Sequence, residues 1–319
     1  MTYRISWYIK VGNYRLALME SINVHRSLEL LSDTATIKLP GRYFKKALDI
    51  KSQLKKGDAV LIQTGYDDEL SNSFQGFLKN IKIEAGTIEL ECEDAMYLTR
   101  KKLPNKEVKN ATLLQLMQEV TAVMGDGYEA QTSYSRTWDK FVFKDTNGFE
   151  VLDKLREECG LDIFIQDKKL IAQMKDTTNA GQVVAFDFEK NVQVDGLRFR
   201  SADEKAYEVT VEGITKEGKR KSVKIGTEGG DHRKIIVTGV LDEETLKKRG
   251  EEEMKALVYD GYEGDLTAWL LPRVEPGQSV RIIDNENASQ TGNYLAVSVT
   301  EEISASGGTQ KITIGRKLA

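Results

Sequence analysis

Apolar residues recur at every second position over much of this chain, and the clearest such run lies between Leu54 and Asp94. Gly57-Asp58-Ala59-Val60-Leu61-Ile62 opens it, with Val60 and Ile62 on one face of a predicted strand. A polar loop through Asp67, Asp68 and Asn72 follows. Phe74-Gln75-Gly76-Phe77-Leu78 then leads into Ile81 and Ile83, a turn at Ala85-Gly86, and a third alternation of Ile88, Leu90 and Cys92. The same order returns near the C-terminus. Gly277-Gln278-Ser279-Val280-Arg281-Ile282 precedes a polar loop from Asp284 to Gln290, then Gly292-Asn293-Tyr294-Leu295, Val297 and Val299, a Ser-Gly-Gly turn, and Ile312 and Ile314. Matching Gly57 with Gly277 and Gly76 with Gly292 predicts two copies of one small antiparallel β unit, closed or nearly closed into a barrel.

The rest of the chain fits around these two stretches. Tyr3, Ile5, Trp7, Ile9 and Val11 alternate before a Gly12-Asn13 hairpin signal, and Tyr14, Leu16 and Leu18 carry the return. Asp33 to Leu39 reads as a further strand stopped by Pro40-Gly41. Helical spacing then takes over. Thr112 caps a helix carrying Leu113, Leu116, Met117, Val120 and Met124, with Gln115 completing a capping box and Gly125 ending it. Phe141 and Phe143 mark a short strand. Asn147 and Glu150 cap a second helix bearing Phe149, Leu152, Leu155 and Cys159, stopped by Gly160. A hairpin follows, turning at Gln166-Asp167-Lys168. From about Gln182 the β pattern resumes through Val184, Phe186, Phe188, Leu197, Phe199, Tyr207, Val209 and Val211, then Ile235 to Val237. Asp242 caps a third helix with Leu246, Gly250, Met254 and Leu257 on one face. The expected organisation is α+β and mainly β. A first β-barrel domain (1–104) and a second (182–319, with an inserted helix) flank a small α+β domain (105–181).

Charge narrows the function classes. Lys and Arg number 46 against 50 Asp and Glu, a net charge of −4, so there is no broad basic footprint for gripping nucleic acid. No apolar run approaches the ~20 residues of a membrane helix. The N-terminus enters a strand pattern without a signal peptide, and Cys92 and Cys159 sit among apolar neighbours as buried free thiols, so cytoplasmic synthesis is expected.

Candidate chemistry is sparse. His25 and His232 each lack a second ligand at metal spacing. Glu157-Glu158 and Glu251-Glu252-Glu253 are carboxylate runs on helices, where adjacent residues point apart, so they suit solvated faces. Asp67-Asp68-Glu69 and Asp284 to Glu286 occupy matching hairpin loops, read as solubility first and as oxygen ligands for a cation second. Gly226 to Asp231 is glycine-rich but lacks the lysine and the strand–helix context of a phosphate loop. Lys216 to Lys221 is the most basic run, a hairpin tip first and a docking patch second. No catalytic, cofactor-binding or metal residues are assigned, and no enzyme is expected.

Three places carry a resemblance. They are Asp33 to Pro40 with Gly57-Asp58-x-Val60-x-Ile62 and Gly76 to Asp94; Phe149 to Leu155 through Cys159-Gly160-Leu161 to Leu170; and Leu270-Leu271-Pro272 to Val280 with Gly292 to Val297. Together they resemble the hub proteins of phage tail baseplates, the late control gene D / tail-hub family, most of all the short hubs of contractile prophage and bacteriocin-like tails. The resemblance covers the whole chain and implies tube-like barrels, a homotrimeric ring, and partners in the tail tube protein, the spike protein and other baseplate proteins. It implies a place in the tail baseplate of a virion or phage-like particle. It carries over no lytic extension, no tight nucleic-acid binding and no membrane insertion. The competing expectation is a β-rich tail-tip module for carbohydrate binding or adhesion, with Trp138, Tyr262 and Trp269 as platforms.

Overall fold

The computed structural model describes residues 3–43, 46–47, 53–84, 86–174, 183–214, 219–238 and 242–318. Its class is β-rich α+β. The first strands are β1 (Ile5–Val11), β2 (Tyr14–Leu16), β3 (Ser21–Ser27), β4 (Thr34–Pro40), β5 (Arg42–Tyr43), β6 (Lys46–Ala47), β7 (Ala59–Tyr66), β8 (Glu69–Glu84) and β9 (Thr87–Glu93). After them come β10 (Lys106–Thr112), α1 (Leu113–Met124), β11 (Glu129–Thr132), β12 (Thr137–Phe143), α2 (Gly148–Cys159), β13 (Leu161–Gln166) and β14 (Lys169–Met174). The last third holds β15 (Val184–Asp187), β16 (Val192–Arg200), β17 (Tyr207–Ile214), β18 (Arg220–Gly226), β19 (Asp231–Thr238), α3 (Glu243–Leu257), β20 (Gly261–Trp269), β21 (Ser279–Ile283), β22 (Gly292–Ser304) and β23 (Gly307–Leu318). Contacts divide the chain into two units. One is Met1–Asn179, Thr267–Gly277 and Ala296–Thr313; the other is Ala180–Leu266, Gln278–Leu295 and Ile314–Ala319.

In the first unit the strands follow the order β20-β23-β22-β3-β4-β9-β8-β7-β1-β2. From β22 to β2 every neighbouring pair is antiparallel. Alternation builds the core: Ile22, Val24, Ile37, Leu39, Val60, Ile62, Ile88 and Leu90 are buried on one face. Each such side chain contributes about 1.5–3 kcal/mol of transfer free energy. The closed barrel expected from the alternation is not formed. Among the described residues no hydrogen-bonded pair joins the two ends of this unit's strand order. At one end of that order β2 pairs with β1 only at Ile9–Val11.

The two stretches that resemble each other do share a connection. β7, β8 and β9 form a meander, and β21, β22 and β23 follow the same order of neighbours. Gly57 and Gly277 open them with φ of 89° and 90°. Each donates its N–H over 2.8 Å to the second strand, Gly57 to the Leu78 carbonyl and Gly277 to the Ala296 carbonyl. The second pair of glycines is not equivalent. Val60 stands opposite Gly76, whereas its counterpart Val280 stands opposite Tyr294. Gly76 is required for another reason: a Cβ there would lie 2.2 Å from the Glu93 carbonyl oxygen. Ala85 of the first closing turn lies outside the described residues.

Around α1 and α2, Leu113, Leu116, Met117, Val120, Val151, Leu152 and Leu155 form a second core that also takes in Leu31, Met96 and Leu103. Both capping boxes are present, Thr112 with Gln115 and Asn147 with Glu150, and Gly160 takes the left-handed cap at φ 63°. The stretch after α1, without apolar rhythm in the sequence, contributes β11 by pairing in parallel with β14.

In the second unit β17 runs between antiparallel β18 and parallel β19. Val209 and Val211 pack beneath Leu246, Met254 and Leu257 of α3. Elsewhere in this unit Tyr262 anchors a ring cluster, edge-on to Phe188 at 5.5 Å and to Phe199 at 5.4 Å. No helix among the described residues is long and apolar enough to cross a membrane.

Candidate docking face and acidic cavity

Most residues singled out for chemistry are occupied by structural partners. His25 Nδ1 lies 2.9 Å from the Thr300 hydroxyl, and His232 Nε2 lies 2.9 Å from that of Thr210. Glu158 pairs with Lys154 and receives the Trp138 indole N–H at 3.2 Å, and Glu252 pairs with Arg249. Asp67 accepts the Arg4 backbone N–H, and Asp68 holds the Arg4 guanidinium at 2.5 Å and the Ser6 hydroxyl at 3.0 Å. Asp284 accepts from the Tyr262 hydroxyl at 2.6 Å and the Asn287 backbone at 2.8 Å, which lowers its pKa. In the glycine-rich loop the Gly229 N–H donates to the Glu208 carboxylate at 3.1 Å, so a side chain of the protein itself takes that anion position. Arg220 and Lys221 pair with Glu212 and Glu243, while Lys216 to Gly218 lie outside the described residues. Among the described residues no three His, Cys, Asp or Glu side chains group as a metal set.

The three aromatics part company. Tyr262 is buried and hydrogen-bonded, and Trp138 is half-buried under Arg136, 4.8 Å from its ring. Trp269 alone stands out, 53% exposed. The local reason is strand alternation: Ala268 and Leu270 enter the core, which turns Trp269 and the 47%-exposed Leu271 outward. They join Tyr3, 65% exposed, and Leu70 along a groove of about 1350 Å³ in the first unit. Ile5, Tyr66 and Ser306-Gly307 also line it. Tyr3 leans on Tyr66 with ring centroids 5.9 Å apart, and the Tyr66 hydroxyl donates to the Gly308 carbonyl at 3.0 Å. Large apolar side chains converging in one concavity mark an interaction site more often than scattered ones do. Of these groove residues the sequence marks only Trp269 as a possible contact; Tyr3 reads as a strand position, Leu70 falls in the polar loop before Phe74, and Leu271 belongs to the Leu270-Leu271-Pro272 stretch.

A second concavity in the same unit, about 310 Å³, is lined by Asp33, Asp94, Asp162 and Glu275 beside Leu31 and Ile163. Burial raises the Asp33 pKa to about 6, and burial together with the Asp33 charge raises Asp94 well above the usual carboxylate range. Burial likewise raises Glu275. Close by, Arg26 donates to the Ser73 carbonyl at 2.6 Å, is paired with Glu301, and lies 3.1 Å from Glu275. Arg273 reaches Glu301 at 3.3 Å and donates to the Thr64 hydroxyl at 2.7 Å. These groups hold strands together. None is poised as a nucleophile with a base beside it.

No family model and no curated protein matches the chain. Solved structures do. The 43 kDa tail protein of prophage MuSo2 from Shewanella oneidensis aligns with a TM-score of 0.64 at 17% identity, over 98% of each chain. A tail protein of Neisseria meningitidis MC58 aligns at 0.66 and 15% identity, over 99% of this chain and 97% of that one. The fold is that of phage tail proteins. The same tail-protein fold extends to a type VI secretion system component of E. coli, at 0.61 and 11% identity over 98% of this chain and 79% of that one. That component is described as structurally similar to the T4 bacteriophage tail proteins gp27 and gp5. The resemblance read from Asp33–Pro40, the α2 hairpin and Leu270–Val297 is therefore met at the level of fold.

Proposed function

We propose that the chain is the structural hub of a phage-like tail baseplate, without catalytic activity. Three copies form a ring that joins a sixfold tail tube to a threefold spike, with other baseplate proteins around it. The observation that carries this reading is the fold match to two tail proteins, one of them from a prophage, over 97% or more of every chain compared. The repeated meander supports it, because two like β units in each of three subunits supply six positions for a sixfold neighbour. The structural partners of His25, His232, Glu158, Glu252, Asp67, Asp68 and Asp284 also suit a scaffold.

Native mass spectrometry with the cognate tube or spike protein tests the proposal, and a trimer is expected. A dimer, or a monomer that persists with both partners bound, overturns it. The second reading, a carbohydrate-binding or adhesion module, has the exposed Trp269 in its favour. It requires saturable glycan binding that Trp269→Ala abolishes.

A further inference from the structure

The apolar groove adjoins an unpaired strand edge, and the two features describe one occupant. β1 is bonded to β7 along its whole length, Ile5 opposite Tyr66 through Val11 opposite Val60. Its outer side meets β2 only at Ile9–Val11, so among the described residues the outer edge of Ile5–Tyr8 carries no strand. The ladder phase decides which groups face out. Asp67 donates its N–H to the Arg4 carbonyl and Gly12 donates to the Ala59 carbonyl, so the even positions of β1 bond toward β7. The backbone N–H and C=O of Ile5 and Trp7 therefore point away from the sheet, as alternation in an antiparallel ladder requires. Such an edge is a template for an added strand.

What stands beside Ile5 gives that strand its character. Trp269, Leu271 and Tyr3, which line the groove together with Ile5, offer apolar seats for alternate side chains. Asp67, Asp68 and Glu69 crowd the nearby hairpin turn, against Arg4, which is already paired with Asp68. The rim is thus net negative by two, and favours cationic residues on the incoming segment.

We infer that the β1 edge and the Trp269 groove bind an extended segment of another protein, with alternating apolar and lysine or arginine residues, added as a strand to β1. This stands apart from the ring proposed above and holds whether or not three copies associate.

The test uses the full chain and a fluorescein-labelled octapeptide of alternating lysine and valine, measured by anisotropy. Saturable binding is expected, weakened at least about tenfold by Trp269→Ala and equally by Leu271→Ser, both exposed positions whose exchange leaves the core intact. The same peptide N-methylated at alternate residues loses its backbone donors and is expected not to bind. A glutamate–valine peptide is expected not to bind either. No saturable binding, or equal binding by the methylated peptide or by the variants, overturns the inference. So does self-association of the chain that Trp269→Ala abolishes, which would give the edge to a second copy.

Discussion

Arg26 of β3 lays its guanidinium against the carboxylate of Glu301 on the adjoining β22, 275 residues further along the chain. Glu301 is fully buried and also faces Arg273. Burial works against the Arg26 charge, but Glu301 and Glu275 outweigh it and raise its pKa. Replacing Glu301 by Gln keeps the shape and leaves two buried arginines short of their anion. The expected loss is about 3–5 kcal/mol in chemical denaturation, since removing one partner strands the other charge. A loss below ~1 kcal/mol would show that the cluster is solvated.

The acidic cavity predicts an unusual pH response. Asp33 titrates near 6 in the folded chain against an ordinary value of 3.8. The folded state therefore binds the extra proton more readily than the unfolded one. The stability contributed by protonation is fully present below about pH 4 and is lost as pH rises through about 6. Asp33→Asn fixes the neutral form and keeps an oxygen for the Ser27 N–H. At about pH 7.5 the variant is expected to be the more stable, by at most about 3 kcal/mol. The gap should close by about pH 4. A gap that does not change with pH removes Asp33 as its source.

Gly57 and Gly277 make the repeat testable. Both hold φ near 90°, a region that costs an L-residue roughly 1–2 kcal/mol. Ala at either position should lower stability by similar amounts in urea melts. A large loss at one and none at the other would deny their equivalence.

Caps and turns were the most legible parts of the sequence, because each is decided within a few residues. Thr112/Gln115, Asn147/Glu150, Gly12-Asn13 and Asp167-Lys168 all formed the structures their chemistry prescribes. β3 was missed because its third inward position is Arg26, so its apolar alternation stops after Ile22 and Val24. β18 was hidden in the same way by Arg220, Lys221 and Lys224, whose charges are answered from β17 and α3. The Gly76/Gly292 register failed since glycine can serve a close backbone approach as readily as a repeat. The groove was illegible because exposure of Trp269 and Leu271 depends on which of two strand faces is inward, and that is a tertiary fact.

Near-balanced charge, with the basic run of β18 paired off, predicts weak affinity for duplex DNA. Little counterion release is available, so dissociation constants weaker than about 1 μM are expected at ~150 mM salt. Filter binding that finds tighter association would point to a basic surface contributed by an assembly.

The late arrival of β22 has a cost during translation. β3 can pair with β4 soon after both leave the ribosome, but its other neighbour is the Ser298–Ser304 segment. At roughly 5–20 residues per second, β3 waits many seconds as an open edge, with Arg26 lacking its anion. The nascent chain is then a substrate for chaperones and for pairing with its twin on the next ribosome. Crowded polysomes are the place where this fold is most exposed to misassembly.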